Sequence, residues 1–333
     1  MHRRDPLLAT RSALAALLLA SLTVQAAQPV KYKAPRTEFG APNLQGVWNY
    51  SSDVPLERPK DFADRESFTR EDIQKLKTAK VKQLDQFTNI GVGAHNTVYF
   101  DYEAQTENLR TSLVIYPADG RVPKLQDGVQ HIGGSDAVFS DIKGTHPVRF
   151  VVGGIGKDGP EDRGLFERCL SIGSVPLMPG IENNYLQIVQ SKDHVIIVAE
   201  QIHDARIVPL DGRPFVLGKI RSWLGESRGH WDGDTLVIVT KNFNDRTMSF
   251  DGSGNAFGKV VTERFTRTSA NTLQYQATID DAATFQDKIV VSFPMAKSNA
   301  RMFEFACHEG NYDLAVTLSG ARRTEEATTS AAR

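Results

Sequence analysis

His194–Pro214, HVIIVAEQIHDARIVPLDGRP, and Ser227–Thr240, SRGHWDGDTLVIVT, decide the fold class. In the first segment Val195, Ile196, Ile197, Val198, Ile202, Ile207 and Val208 are β-branched, and no Gly or Pro interrupts them before Pro209. β-Branched side chains favour the pleated strand, so one strand over 195–208 is expected, with Leu210-Asp211-Gly212 turning the chain. Glu200, His203, Asp204 and Arg206 are set into it. Side chains alternate between faces, which would put Glu200, Asp204 and Arg206 on one face and Gln201 and His203 on the other. An unpaired charge in so apolar a strand is costly, so these groups must pair with one another, line a cavity, or both. In the second segment Asp232-Gly-Asp234 punctuates two β segments as a hairpin.

Outward from this stretch the pattern continues. Strands are expected at 185–190, 235–240, 260–268, 272–280, 288–293, 301–306 and 314–318, separated by polar turns such as Thr268-Ser-Ala-Asn271 and Cys307-His-Glu-Gly-Asn311. Short strands closely spaced, with no helices between them, predict a mainly β chain folded as an antiparallel barrel or sandwich, of which a calycin-like barrel with an N-terminal helix and long loops is the expected fold. Gly46-Val47-Trp48-Asn49-Tyr50 reads as the first strand. A Gly-x-Trp there resembles the start of lipocalin-like (calycin) barrels, in which the Trp plugs one end. Arg110–Tyr116 reads as a further strand and Pro117–Gly120 as its turn.

The remaining organisation is simpler. Residues 1–26 carry basic His2-Arg3-Arg4, an apolar run from Ala13 to Leu19 and small-residue Val24-Gln25-Ala26, which is the pattern of a secretory signal peptide. The apolar run is shorter than the ~20 residues a membrane span needs, and no later stretch is long enough. The expected location is therefore periplasmic or secreted, with no membrane contact after cleavage. Residues 27–66 form an extended lead-in with the first strand. A helix is expected over 67–84, opened by a Thr69/Asp72 capping pair, with Lys75, Lys77, Lys80 and Lys82 on a solvated face. The barrel domain is expected over 97–320 and a helical or frayed tail over 321–333. Residues 125–165 are loop-like, with one strand expected at Val148–Val152.

Composition excludes several function classes. Removing three Arg and one Asp with the signal leaves 36 basic against 39 acidic residues, so there is no basic footprint for nucleic acid. Gly153-Gly154-Ile155-Gly156 is no dinucleotide fingerprint, because Gly159-Pro160 cuts it short before any helix. Gly252-Ser253-Gly254 reads as a flexible turn. No cofactor is implied. Cys169 and Cys307 are the two cysteines, and in an exported chain such a pair is a disulfide candidate; two buried free thiols is the other reading.

Several blocks together carry a resemblance. Glu167-Arg-Cys-Leu170, Ile202–Pro214, Gly225–Leu236, Asn242-Phe243, Glu263–Arg267, Cys307–Tyr312 and Leu318–Arg322 resemble a family of exported, largely uncharacterised bacterial proteins. The resemblance implies a calycin-like barrel and no particular activity. The sequence departs from the family pattern at 125–165 and at 283–291.

The ionisable residues in these blocks are the candidate site. His203 is the candidate general acid or base, with Asp204 or Glu200 tuning it, because a carboxylate raises an imidazole's pKa and burial lowers it. Arg206, Arg228 and His308 are candidates to stabilise developing charge, although Arg206 is equally able to neutralise Glu200 or Asp204. His230, Trp231, Glu309, Asn311 and Tyr312 are candidate ligand-binding residues. No HExxH or H-x-H spacing points to a metal. Two functions fit: a cofactor-independent lyase, isomerase or hydratase acting on a small, partly apolar molecule in the barrel, or a periplasmic small-molecule binding protein of the same fold.

Overall fold

The structure, a computed structural model, describes residues 32–88, 104, 106–129, 131, 157–216, 218 and 220–331. The segment read as a signal peptide, the strand expected at 148–152 and the glycine run at 153–156 lie outside the described residues.

The chain builds an antiparallel sheet that curls into a nearly closed barrel. Its strands are β1 (Gly46–Asn49), β2 (Val114–Tyr116), β3 (Tyr185–Gln190), β4 (His194–Ala199), β5 (Ala205–Pro209), β6 (Glu226–Asp232), β7 (Thr235–Lys241), β8 (Val260–Arg267), β9 (Thr272–Asp280) and β10 (Ile289–Ser298). Hydrogen bonding runs β5-β4-β3-β1-β10-β9-β8-β7-β6, with β2 added to β10. β1 therefore belongs to the barrel rather than to a lead-in. It pairs with β10 on one side, Val47 opposite Ser298, and with β3 on the other, Trp48 opposite Leu186.

Alternation fills the interior. Val261, Glu263, Phe265 and Arg267 on β8, and Leu273, Tyr275, Ala277 and Ile279 on β9, are buried while the residues between them are not. They meet Trp48, Phe293, Ile188 and Ile197 in one core. Most of the barrel is thus a packed interior, as an apolar side-chain set of this size makes it.

β5 and β6 are the two ends of the hydrogen-bonded path, and the barrel closes between them by side chains. Gly229 on β6 allows this approach: a Cβ there would lie 2.8 Å from Leu210 Cδ2 and 2.9 Å from Val208 Cγ1. Arg206 on β5 reaches further, with Nη1 2.5 Å from Glu263 Oε2 and Nη2 3.0 Å from Glu263 Oε1 on β8. The Tyr275 hydroxyl donates to Glu263 Oε1 at 2.9 Å and accepts from Leu177 N–H at 3.0 Å. Burial alone would disfavour the Arg206 charge, but Glu263 more than offsets it and raises the guanidinium's pKa. Burial, reinforced by Glu263, pushes Tyr275 well above its usual value, so the phenol stays a donor.

Several sequence expectations are corrected. The strand expected over 195–208 is two strands, because Ile202 (φ 60°) and His203 (φ 55°) are both left-handed and reverse the chain between β4 and β5. Neither residue is a turn signal, and the conformation is costly for a β-branched side chain. The strands expected at 301–306 and 314–318 are absent: no strand occurs in 299–312, and Asp313–Ala331 is helix α2. β10 already has β1 and β9 on its two edges, while the Ala-, Leu-, Arg- and Glu-containing run favours helix and Asp313 suits its first turn. The barrel thus ends at Ser298, not at 320. The N-terminal helix, α1, runs Arg70–Thr88, and Thr69 and Asp72 exchange bonds of 2.8 and 3.1 Å at its start. Its lysine side is not simply solvated, since Lys77 and Lys80 lie 3.8 and 3.3 Å from Asp53.

Cys169 and Cys307 form a disulfide, Cα to Cα 5.7 Å, that ties the segment before β3 to the segment after β10.

The closure makes a specific expectation. Glu263→Ala leaves a buried guanidinium without its acid, and urea unfolding should show a loss of about 3–5 kcal/mol. The double variant Arg206→Met/Glu263→Leu should recover most of it. A single-variant loss below about 1 kcal/mol would mean the pair does not close the barrel.

Candidate functional site

The two ends of the barrel differ. At one end Trp48 is fully buried and donates Nε1–H to Leu44 O at 2.8 Å. The Arg267 guanidinium lies 5.7 Å from the Trp48 ring and donates to Asn43 O at 2.9 Å and Ala270 O at 2.6 Å. Gln190 completes the plug, accepting from Leu44 N–H and donating to Pro42 O. Among the described residues no buried side-chain polar atom of this plug lacks a partner.

The other end, where β1, β4, β7 and β9 finish and β8 and β10 begin, holds a cavity of ≈ 420 Å³. Its walls are mainly apolar: Leu113, Leu165, Leu177, Met178, Leu224 and Phe250 contribute, with Trp223 beside the seam. Polar residues interrupt this lining, among them Ser52, Gln201, Thr247, Ser249, Asp251 and Lys259. Lys259 comes immediately before β8 and is 3% exposed. Its Nζ donates to Ser249 O at 2.8 Å and to Val175 O at 3.4 Å, and sits 4.3 Å from the Phe243 ring centroid. Among the described residues no carboxylate forms an ion pair with it, and the favourable charge it feels, Asp281, acts through space. Asp281 is itself engaged by the Ser249 and Thr284 hydroxyls at 2.5 and 2.8 Å. Burial therefore dominates and drops the Lys259 pKa from 10.5 to about 7. Thr247 Oγ1 is buried, and among the described residues no hydrogen-bond partner reaches it.

The loop carrying these groups is firmly built. Ser249 N–H donates to Ser253 O at 3.0 Å and Ser253 N–H to Phe250 O at 2.9 Å. Gly254 has φ +56°, and a Cβ there would fall 2.2 Å from Thr284 Oγ1. The Gly252-Ser253-Gly254 stretch is thus a packed turn rather than a flexible one, and only glycine fits its last position.

The residues anticipated from sequence lie elsewhere. Glu200 is buried at the β4–β5 reversal, where Oε1 accepts Phe303 N–H at 2.9 Å. His203 is exposed on the same turn, and Nε2 accepts Phe305 N–H at 3.0 Å. Asp204 is buried and accepts from the Ser171 hydroxyl at 2.8 Å, Ile172 N–H at 3.3 Å and the Ser174 hydroxyl at 3.4 Å. Burial raises its pKa against the lowering effect of those donors. The three therefore share a turn, but what they hold is neighbouring chain: the 303–305 backbone on one side and the 171–174 segment, through two serine hydroxyls and one N–H, on the other. Arg206 is spent on Glu263, not on Glu200 or Asp204. Arg228 points outward from β6, pairs with Glu226, donates to Arg213 and Pro214 carbonyls and lies 5.2 Å from the Phe215 ring. Asp204, Arg206 and Arg228 do line a second cleft of ≈ 540 Å³ along the β5–β6 seam.

Among the ligand candidates, Trp231 packs partly buried against the core while His230 is exposed. His308, Glu309 and Tyr312 are exposed on the turn after the disulfide. Asn311 Nδ2 donates to Glu167 O at 3.1 Å and to Cys169 Sγ at 3.3 Å, which fastens that turn. None of the anticipated residues lines the open-end cavity. Among the described residues no group of three His, Cys, Asp or Glu is placed to hold a metal, and no helix is long and apolar enough to cross a membrane.

Lys259 and Thr247 were missed because neither sits in a motif. A lysine before an apolar strand is ordinarily a solvated flank, and only the fold takes it inside. No family model, no curated protein and no solved structure matches the chain.

A lysine with a depressed folded pKa makes stability depend on pH in a fixed direction. Between about pH 7 and 10.5 the unfolded chain binds a proton that folded Lys259 does not, so stability attributable to this residue rises with pH across that window. Chemical denaturation should show the difference between the protein and Lys259→Met changing by roughly 1 kcal/mol per pH unit there. A difference that is flat from pH 7 to 10 would place the Lys259 pKa near the ordinary value.

Proposed function

We propose that the chain is an exported enzyme that moves a proton on a small, partly apolar organic molecule held in the open-end cavity, in chemistry of lyase, isomerase or hydratase type, with Lys259 as acid and base. The observation that carries this is Lys259: a buried amine at an apolar cavity, with no ion pair among the described residues. A group poised near neutrality both accepts and gives up a proton, which is what general acid–base catalysis requires. The cavity falls within the size range of small-molecule sites, and its apolar walls with few polar groups fit a ligand of the same make-up. Glu200, His203, Asp204, Arg206 and Arg228 support the site by fixing the turn, the 171–174 wall and the seam. The disulfide agrees with export through the N-terminal segment, since such bonds persist in oxidising compartments. The family resemblance fits export and a calycin-like barrel and adds nothing on activity.

The mainly apolar lining also favours a second reading, a periplasmic carrier of the same molecules. The two separate experimentally. Thermal melts against small aromatic and terpenoid compounds identify ligands, because binding to the native state raises the midpoint. For an enzyme, a ligand found this way is turned over, and Lys259→Met keeps the midpoint rise while losing at least about 100-fold in kcat/KM. A carrier gives the same rise with no turnover by either protein.

A further inference from the structure

Lys259 has a second chemical capacity beyond proton transfer. An amine that gives both hydrogens to acceptors has one remaining valence, its lone pair. The two carbonyls that Nζ meets, Ser249 O and Val175 O, can take both hydrogens of the neutral amine and leave that pair unengaged. Among the described residues no carboxylate is in ion-pair contact with the amine, and what favours its ammonium form is the two carbonyls, the Phe243 ring face and, through space, Asp281. Thr247 contributes an independent observation in the same cavity. Its hydroxyl is buried, 5% exposed for the residue, and without a hydrogen-bond partner among the described residues. A buried hydroxyl left unmatched costs free energy, which a ligand oxygen accepting its hydrogen would remove. An unengaged amine and an unmatched hydroxyl on one apolar cavity match a carbonyl group, electrophilic at carbon and accepting at oxygen.

We propose that the molecule bound in this cavity is an aldehyde or ketone with an apolar body, and that Lys259 forms an imine with it. This rests on the open-end cavity being the ligand site. The Nζ lone pair forms a bond to the carbonyl carbon as the C=O π pair moves to oxygen. The oxygen takes up a proton while nitrogen loses one, giving a carbinolamine. The nitrogen then expels that hydroxyl as water after a second protonation, and loss of the remaining N–H proton leaves the neutral C=N. Amine and carbonyl become imine and water, with no change of oxidation state. The Thr247 hydroxyl hydrogen-bonds the oxygen while it is attached to carbon. A protonated imine is an electron sink, so the reactions it assists are loss or gain of a proton or group at the neighbouring carbon.

Reductive trapping tests this on the full mature chain. The protein is incubated at pH 7 with benzaldehyde, hexanal and cyclohexanone in turn, sodium cyanoborohydride is added, and labelled peptides are mapped by mass spectrometry. An ordinary lysine is neutral in only about three molecules in ten thousand at that pH. Lys259 should therefore be labelled at least about 100-fold faster than exposed Lys75 and Lys288. Thr247→Val, which removes a hydroxyl with no partner among the described residues, should keep the melting midpoint and slow labelling at Lys259 by about 10-fold or more. Melting midpoints raised by these carbonyl compounds, with Lys259 labelled no faster than Lys75, would overturn the imine and leave the cavity as a binding site. Neither a midpoint rise nor labelling with any of the three, while hydrocarbon or alcohol analogues raise the midpoint, would also overturn it. No midpoint rise with any compound of either kind would remove the cavity reading as well.

Discussion

The bidentate pair between Arg206 and Glu263 is the constraint on which the barrel rests. The sheet has two unbonded edges, β5 and β6, and no ladder of backbone hydrogen bonds joins them. An open edge exposes unpaired N–H and C=O groups, so it has to be covered. Here a guanidinium on β5 passes inside the seam and grips a carboxylate two strands in from the opposite edge. Both charges are out of water, where a lone one would be untenable, and the geometry satisfies them together with Tyr275. The strands must therefore stay curled for the pair to exist. Gly229 lets the edges come close enough for this, with Val208 and Leu210 filling the gap.

The functional end follows from how that interior is filled. Trp48, Phe265, Tyr275 and Phe293 occupy the barrel below the ion pair, and the Trp48–Arg267 plug seals the far end. Space remains at the near end, under the 172–180 and 247–251 segments, and two ionisable groups, Asp251 and Lys259, stand in its wall. Asp204 holds the first of these segments through Ser171, Ile172 and Ser174, and Asp281 holds the second through Ser249. Two carboxylates thus shape the cavity without entering it. The amine between the segments meets backbone carbonyls and an aromatic face but no ion-pair partner among the described residues, and its burial penalises the charge.

The sequence disclosed the barrel more fully than the site. Alternation in β8 and β9 is regular, with Asp-Gly and Ser-Ala-Asn turns between strands, so those boundaries are legible within a residue or two. The β4–β5 reversal is not legible: it is made by left-handed Ile202 and His203, and no residue type there announces a turn. The alternating Leu314, Val316 and Leu318 mimicked a strand, yet β10 has no free edge to receive one. The ionisable cluster around His203 stood out because it interrupts apolar segments, and those groups are indeed engaged, but with backbone and with Glu263. Recognising Lys259 needed the tertiary arrangement, since its burial comes from segments 84 and 10 residues away in the chain, at Val175 and Ser249.

The central claim is that Lys259 is an uncharged or half-charged amine in a ligand cavity, and its ionisation can be observed directly. The protein, isotopically labelled at its lysine side chains, is followed by NMR from pH 5 to 11, with Lys259→Met assigning the resonance. One lysine titrating at about 7, and missing from the variant, is the predicted result. A Lys259 resonance that titrates with the surface lysines above pH 10 would contradict the account.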